Sequence, residues 1–394
     1  MTPKAILKEA DRCVKCGICL PHCPTYRLLA HEADSPRGRI SLIQALASGE
    51  LEHSSHLAIH LDRCLGCRAC ETACPSGVKY GELIDAGRDM LNQLRPARRK
   101  WGKLFNLLSD RQRLSHWLKV YTWLRRTGLI RFASWLPISG MKRLLGLGQQ
   151  LPTQAQDIAT LLPANRPSGR LVQLFVGCVS SQTDNELIRT SQRLLTDLGF
   201  AVEVPKAQTC CGAMHRHNGF PADAETLRLT NHQLFERSRA ECLITLASAC
   251  HLELVEQAES PLPVLSLTEF LLDLPADALY ELRPLPQPVA LHIPCTSRGD
   301  RSAELLQRIP QIQLSELDEN SLCCGAAGSY LLTQPTLSDQ LGREKIVHLK
   351  KQGAQILVTS NTGCAMQFRQ QIKAAGLAIE VLHPVELFAR QMRA

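Results

Sequence analysis

The order of apolar and polar positions divides the chain into a helical first part and a longer stretch where strands and helices alternate. Across residues 1–94 no segment alternates with period two, so the elements expected there are helices. Ser35-Pro36 reads as an N-cap with proline at N1, opening a helix through Ile40, Leu42, Ile43 and Leu46. Residues 57–63 read as a further helical turn. Trp101, Leu104, Phe105 and Leu108 follow i, i+3, i+4, i+7. After Ser109-Asp110 the same spacing recurs at Leu114, Trp117, Leu118 and Tyr121, which predicts two amphipathic helices. Breaks are expected at Gly128 and Pro137–Gly140, and the Gln/Pro/Thr-rich residues 147–169 read as linker.

From Arg170 the pattern runs twice. The first copy has an apolar run, Leu171–Val176, reaching Cys178. A helix (Leu187 to Leu198), a strand (Ala201–Val204) and Cys210-Cys211-Gly212 follow. A helix over 222–237, a strand over 242–246 and Cys250 complete it. The second copy repeats this with Val289–Ile293, Cys295, a helix, Ile312–Leu314, Cys323-Cys324-Gly325, a helix, Ile356–Thr359 and Cys364. The gaps between cysteine landmarks are 31 and 38 residues in one copy, 27 and 39 in the other. Alternating strands and helices imply a parallel sheet in each copy, with chemistry on the loops at the strands' carboxyl ends. The expected fold is therefore α+β and multidomain: an α-helical ferredoxin-like domain (1–94), a basic Trp-rich helical segment and linker (95–169), and two pseudo-twofold α/β lobes (170–285 and 286–394).

Composition adds two facts. The 394 residues include 17 cysteines, yet the chain is long enough to bury cores without disulfide staples. The N-terminal MTPKAILKEADRC lacks the apolar region of a signal peptide, and no apolar run is long enough to span a bilayer. A reducing cytoplasmic compartment is expected, with the thiols serving as metal ligands or redox groups. The net charge of +8 is also localised: Arg95 to Arg143 holds thirteen Lys/Arg against Asp110, leaving 32 basic and 36 acidic residues elsewhere. Trp101, Trp117, Trp123 and Trp135 lie in the same belt, which therefore reads as a docking surface. An anionic membrane surface or a partner subunit suits its helical periodicity; intramolecular packing is the plainer alternative, and nucleic acid is not expected.

The N-terminal cysteines carry the sharpest chemistry. Cys13-x2-Cys16-x2-Cys19-x3-Cys23-Pro24 and Cys64-x2-Cys67-x2-Cys70-x3-Cys74-Pro75 each match the bacterial [4Fe–4S] run. In such runs three closely spaced thiolates wrap one cube and the fourth reaches the other. This assigns Cys13, Cys16, Cys19 and Cys74 to one cluster and Cys64, Cys67, Cys70 and Cys23 to the second. Structural zinc favours two-plus-two spacing and would leave cysteines over. Arg37 and Arg39 either offset cluster charge or form a solvated first helical turn.

Each lobe offers four more thiols: Cys178, Cys210, Cys211 and Cys250, then Cys295, Cys323, Cys324 and Cys364. They read as an additional Fe–S cluster or metal site, or as buried or redox-active thiols without metal. Gly212 and Gly325 suit a tight turn beside the paired thiols. Cys242 reads as core. Of His215, His217, His251 and His292 none is taken as a ligand, and His292 is the best placed to handle a proton.

The order of these motifs resembles the iron–sulfur subunits of glycolate oxidase. The resemblance rests on Pro24-Thr-Tyr26, Ser35-Pro-Arg-Gly-Arg39, LDRCLGCRACETACPSGVKY (61–80), LCCGAAGSY (322–330) and the SNTGC segment ending at Cys364. It implies electron transfer from a flavin (FAD) on partner glycolate oxidase subunits towards the quinone pool, at the cytoplasmic face of the inner membrane. No GxGxxG fingerprint gives a dinucleotide a home in this chain. The same architecture serves D-lactate and glycerol-3-phosphate dehydrogenases. Heterodisulfide-reductase-like thiol chemistry is the other alternative, but Ala247 and Asn361 stand where that motif has a further cysteine.

Overall fold

The computed structural model describes residues 1–392 other than 53, 95–98, 128–169, 257–259, 276–280, 298 and 321. The expected breaks at Gly128 and Pro137–Gly140, the linker and Trp135 lie outside these residues.

The N-terminal region is helical: Pro3–Ala10, Pro24–Leu29, Pro36–Ser48, Ser55–Asp62, Ala69–Thr72 and Tyr80–Leu94. Local sequence sets the starts. Thr2, Ser35 and Ser54 accept from the backbone N–H of Ala5, Gly38 and Leu57 at 3.3, 3.0 and 3.1 Å, and prolines occupy the first positions of three helices. Ile6, Ile40, Ile43, Leu61, Leu83, Ile84 and Leu91 form the core beneath the cysteine loops.

Helices Arg99–Ser109 and Arg111–Arg126 occupy the basic belt, and their apolar faces divide. Phe105 is buried against His215 and Phe220, with ring centroids 6.2 and 6.0 Å away, so the first helix packs onto the chain itself. In the second, Leu114 is buried, whereas Trp117 and Trp123 are each 60% exposed and Val120 49%. Trp117 thus lies on the outer face with Trp123, while Leu114 is covered at the start of that helix.

Both lobes contain fully parallel sheets. The first comprises β1 (Leu171–Phe175), β2 (Ala201–Glu203), β3 (Leu243–Thr245) and β4 (Val264–Ser266) in the order β2-β1-β3-β4. The second repeats it with β5 (Pro288–His292), β6 (Gln313–Glu316), β7 (Ile356–Thr359) and β8 (Glu380–Leu382) in the order β6-β5-β7-β8. The sequence reading anticipates three strands per lobe. Strands β4 and β8, three residues each, lie past the last cysteine of each copy and are too short for a period to show.

Alternate residues of the central strands face opposite cores. Val172, Leu174, Ile244, Val289, Leu291, Ile356 and Val358 belong to one apolar core shared by both lobes. Their neighbours Phe175 and Leu243, and Ala290 and Leu357, face separate outer clusters that contain the cysteines. The lobes are also tied polar to polar. The Ser248 amide donates to Ser360 O at 2.9 Å, and Asn361 Nδ2 donates to Ser248 Oγ at 3.1 Å. Ser180 Oγ and Thr362 Oγ1 lie 2.8 Å apart.

Candidate metal centres

The helix starts and loops of the N-terminal region gather its eight cysteines around two neighbouring cavities. One is lined by Cys13, Cys16, Cys19 and Cys74, with Cys70, Arg37 and Tyr80 at its wall. The other is lined by Cys23, Cys64, Cys67 and Cys70, with Arg39 and Tyr80. The donor sets fit two cubane clusters: four thiols each, no competing carboxylate in either wall among the described residues, and one proline-adjacent cysteine exchanged between the runs.

The electrostatics favour occupancy by a cation. Burial, then neighbouring thiols, pushes the Cys70 thiol far above its ordinary range, and burial raises Cys67 and Cys19 as well. Bringing such thiols together as thiolates requires positive charge, which a metal supplies directly. Fixed positive charge is already present. Arg39 is 1% exposed, so the solvated-turn reading of that residue fails. Its guanidinium donates to His60 O at 2.8 Å and Thr25 Oγ1 at 3.1 Å, pairs with buried Asp34 at 3.3 Å, and approaches Cys23 Sγ at 3.9 Å. Arg37 is nearer the surface, donating to Lys15 O at 3.0 Å inside the first cysteine loop and pairing with Glu32.

In the lobes, every cysteine of the repeat sits at the carboxyl end of a strand: Cys178 after β1, the Cys-Cys pair after β2 and Cys250 after β3, with Cys295, Cys323-Cys324 and Cys364 correspondingly placed. Gly212 and Gly325 turn the chain with φ of +96° and +86°. In the first lobe Cys178 Sγ lies 3.2 Å from Cys210 Sγ, and Cys211 is hydrogen-bonded by Cys210 and Cys250. Those thiol donors hold Cys211 well below the ordinary thiol range while raising its two neighbours. In the second lobe the thiols form a chain of contacts, Cys295 to Cys323 to Cys324 to Cys364. Cys242 is 5% exposed in the shared apolar core, apart from both quartets.

The second quartet lies against the ferredoxin region. Leu65, Cys67, Cys295, Cys323 and Tyr330 share one apolar cluster, and Tyr330 Oη donates to Arg63 O at 2.9 Å. The first lobe is joined by charge instead: Arg216 pairs with Asp85 at 3.0 Å, and Arg68 with Glu256 at 2.6 Å. Helix Tyr80–Leu94, which no motif marked, anchors both sides. Arg88 donates to His217 O at 2.6 Å and to Cys64 O at 2.5 Å, and Asn92 to Gly219 O at 2.6 Å.

The histidines separate clearly. His215 bonds Asn106 at 2.8 Å and His217 pairs with Asp85 at 3.1 Å. His251 Nδ1 lies 3.0 Å from Thr245 Oγ1. His292 is 2% exposed, and burial, then Lys345, lowers its pKa to about 3, favouring the neutral imidazole. Asn361, where a fifth cysteine is missing, caps helix Thr362–Ala374 and binds the lobe seam.

Residues 9–78 match the family described as a 4Fe-4S dicluster domain, and residues 172–255 and 289–369 each match a cysteine-rich domain family. The chain is 30% identical to the glycolate oxidase iron-sulfur subunit of Escherichia coli, covering 92% of each protein. It is 29% identical to the probable glycolate oxidase iron-sulfur subunit of Bacillus subtilis, over 96% of this chain and 93% of the relative. Lactate utilization protein A of Halalkalibacterium halodurans is 26% identical over 56% of this chain and 98% of its own.

Proposed function

This chain belongs to the family of glycolate oxidase iron–sulfur subunits, and from that premise we propose that it relays electrons within a flavin-dependent glycolate oxidase complex. Cys13, Cys16, Cys19 and Cys74 would hold one [4Fe–4S] cluster and Cys23, Cys64, Cys67 and Cys70 the second. Together they supply one-electron transfer between a partner subunit's FAD and the quinone pool. The pair of adjoining thiol-lined cavities, with Cys70 at the wall of both, is the observation that carries this reading.

The chain's own residues set the conditions of transfer. Arg39 places a buried positive charge beside Cys23, favouring the more negative, reduced state. Tyr80 and Ile40 keep the cavity walls apolar. The exposed Cys16 marks the surface at which a partner would exchange electrons. The lobe quartets would hold further metal or Fe–S centres, with Cys295 and Cys323 beside Cys67 giving electrons a second exit. Trp117, Val120 and Trp123 would seat the subunit on the cytoplasmic face of the inner membrane or on its partner. Among the described residues no helix is long and apolar enough to cross a membrane.

Co-purification of the chain with its flavoprotein, followed by dye reduction, tests this. Glycolate-dependent reduction is expected, and Cys67→Ser should abolish it while flavin reduction persists. Reduction with lactate but not glycolate would transfer the substrate assignment to the lactate-utilising relatives.

A further inference from the structure

The two lobes repeat each other thiol for thiol, but not at one wall position. The register aligns Phe175, the last residue of β1, opposite Thr245, and His292, the last residue of β5, opposite Thr359. In the first lobe that position is apolar: Phe175 packs on Phe235 at 6.3 Å, and Thr245 is taken by His251. In the second an imidazole replaces the phenyl ring, inside a core where an uncompensated polar group is costly. Its ring meets Phe368 at 4.8 Å, and Nδ1 lies 3.0 Å from Thr359 Oγ1. When Nδ1–H donates to that hydroxyl, the ring's other nitrogen carries the lone pair that a metal would take.

The ligand atoms of His292, Cys324 and Cys364 all lie within 4.8 Å of one another, and all three residues are buried. A buried imidazole that bonds a hydroxyl and brings a ring nitrogen within 4.8 Å of two thiol sulfurs has the chemistry of a metal ligand with an orienting partner. Lys345, itself 3% exposed, stands near Cys323, Cys324 and Cys364 and donates to Glu319 O at 2.5 Å, supplying positive charge against thiolates.

We propose that the second lobe binds one zinc-class divalent ion through the His292 imidazole and the Sγ atoms of Cys324 and Cys364, at a site the first lobe lacks. Imidazole with two thiolates is a borderline-soft donor set that suits zinc, and three protein ligands leave one tetrahedral corner open. The inference rests on the reading that the lobes hold metal and makes it specific: the lobes are chemically unequal, and the second centre is mononuclear. Binding releases the two thiol protons and involves no change of oxidation state.

The test is metal content and zinc X-ray absorption of the anaerobically purified full chain. The wild type should carry one zinc per chain with a mixed nitrogen and sulfur shell. His292→Phe, which copies the first lobe, should lose that zinc while iron and acid-labile sulfide stay unchanged. His292→Cys keeps a ligand at the position and guards against misfolding of the first variant: it should retain zinc with the nitrogen shell gone. A zinc-free wild type, or a nitrogen shell that persists in His292→Cys, overturns the proposal. If Cys324→Ser removes iron and sulfide while His292→Phe removes nothing, an all-thiol cluster occupies the lobe; the inference falls but lobe metal stands. If neither substitution changes any metal, both fall.

Discussion

Arg39 is the residue on which the N-terminal site depends most visibly, and Arg39→Met isolates its charge. The substitution keeps an unbranched chain of similar reach and removes the donors to Thr25, His60 O and Asp34. Arg39 and Asp34 are 1% and 0% exposed, so the carboxylate left behind stays out of water. Breaking a buried pair from one side costs ~3–5 kcal/mol, because the remaining charge is uncompensated. Asp34 retains Arg63 at 3.1 Å, which places the cost near the lower end, ~3 kcal/mol. The readout is amide hydrogen exchange of helix Pro36–Ser48 in the anaerobic full chain, where ~3 kcal/mol corresponds to roughly 100-fold faster exchange. Arg37→Met is the control, since its pair with Glu32 faces solvent and its loss should leave that helix unchanged. Exchange in Arg39→Met within about threefold of wild type, against the ~100-fold expected, would refute the claim that this buried guanidinium holds the loops together.

Three further outcomes follow from other parts of the chain. Asn361→Ala removes both the cap of helix Thr362–Ala374 and the bond to Ser248, and should cost ~1–2 kcal/mol in urea denaturation; an unchanged midpoint would show the seam is held by apolar contact alone. His383 is held at about 4, below its ordinary 6.5, by burial. The unfolded chain therefore takes up that proton first, so stability is whole above about pH 6.5 and declines towards pH 4 by up to ~3 kcal/mol. His383→Asn replaces the capping Nδ1 by an amide oxygen and should flatten this dependence in denaturation midpoints measured across the window. Replacing Trp117 and Trp123 together by Ser should weaken sedimentation with anionic vesicles several-fold without altering helix content, and full retention would exclude this face as the membrane contact.

The parts legible in the sequence are those where chemistry fixes spacing. The ferredoxin runs mark the eight thiols that line the two neighbouring cavities, and two-residue gaps are the spacing a cubane cluster would impose. The paired Cys-Cys-Gly landmarks likewise mark loops that the parallel sheets bring to one end. What escaped depends on distance in sequence. Arg88 and Asn92 reach backbone carbonyls more than a hundred residues away, and nothing around them signals it. For Arg39 the sequence leaves a charge-offsetting role and a solvated first turn equally open, because its partners, Asp34 and His60 O, come together only through the fold. The difference between Phe175 and His292 is visible in the repeat, yet it gains meaning only when strand register aligns the two positions.

Iron and acid-labile sulfide content, with EPR of the reduced protein, tests the central claim most directly. Replacing the eight cysteines Cys13, Cys16, Cys19, Cys23, Cys64, Cys67, Cys70 and Cys74 by Ser should remove about eight irons and about eight sulfides per chain relative to wild type. The wild type should also show the broadened signal of two interacting reduced clusters, as adjoining cavities require. A loss of zinc in place of iron, or an isolated single-cluster signal, would contradict the account.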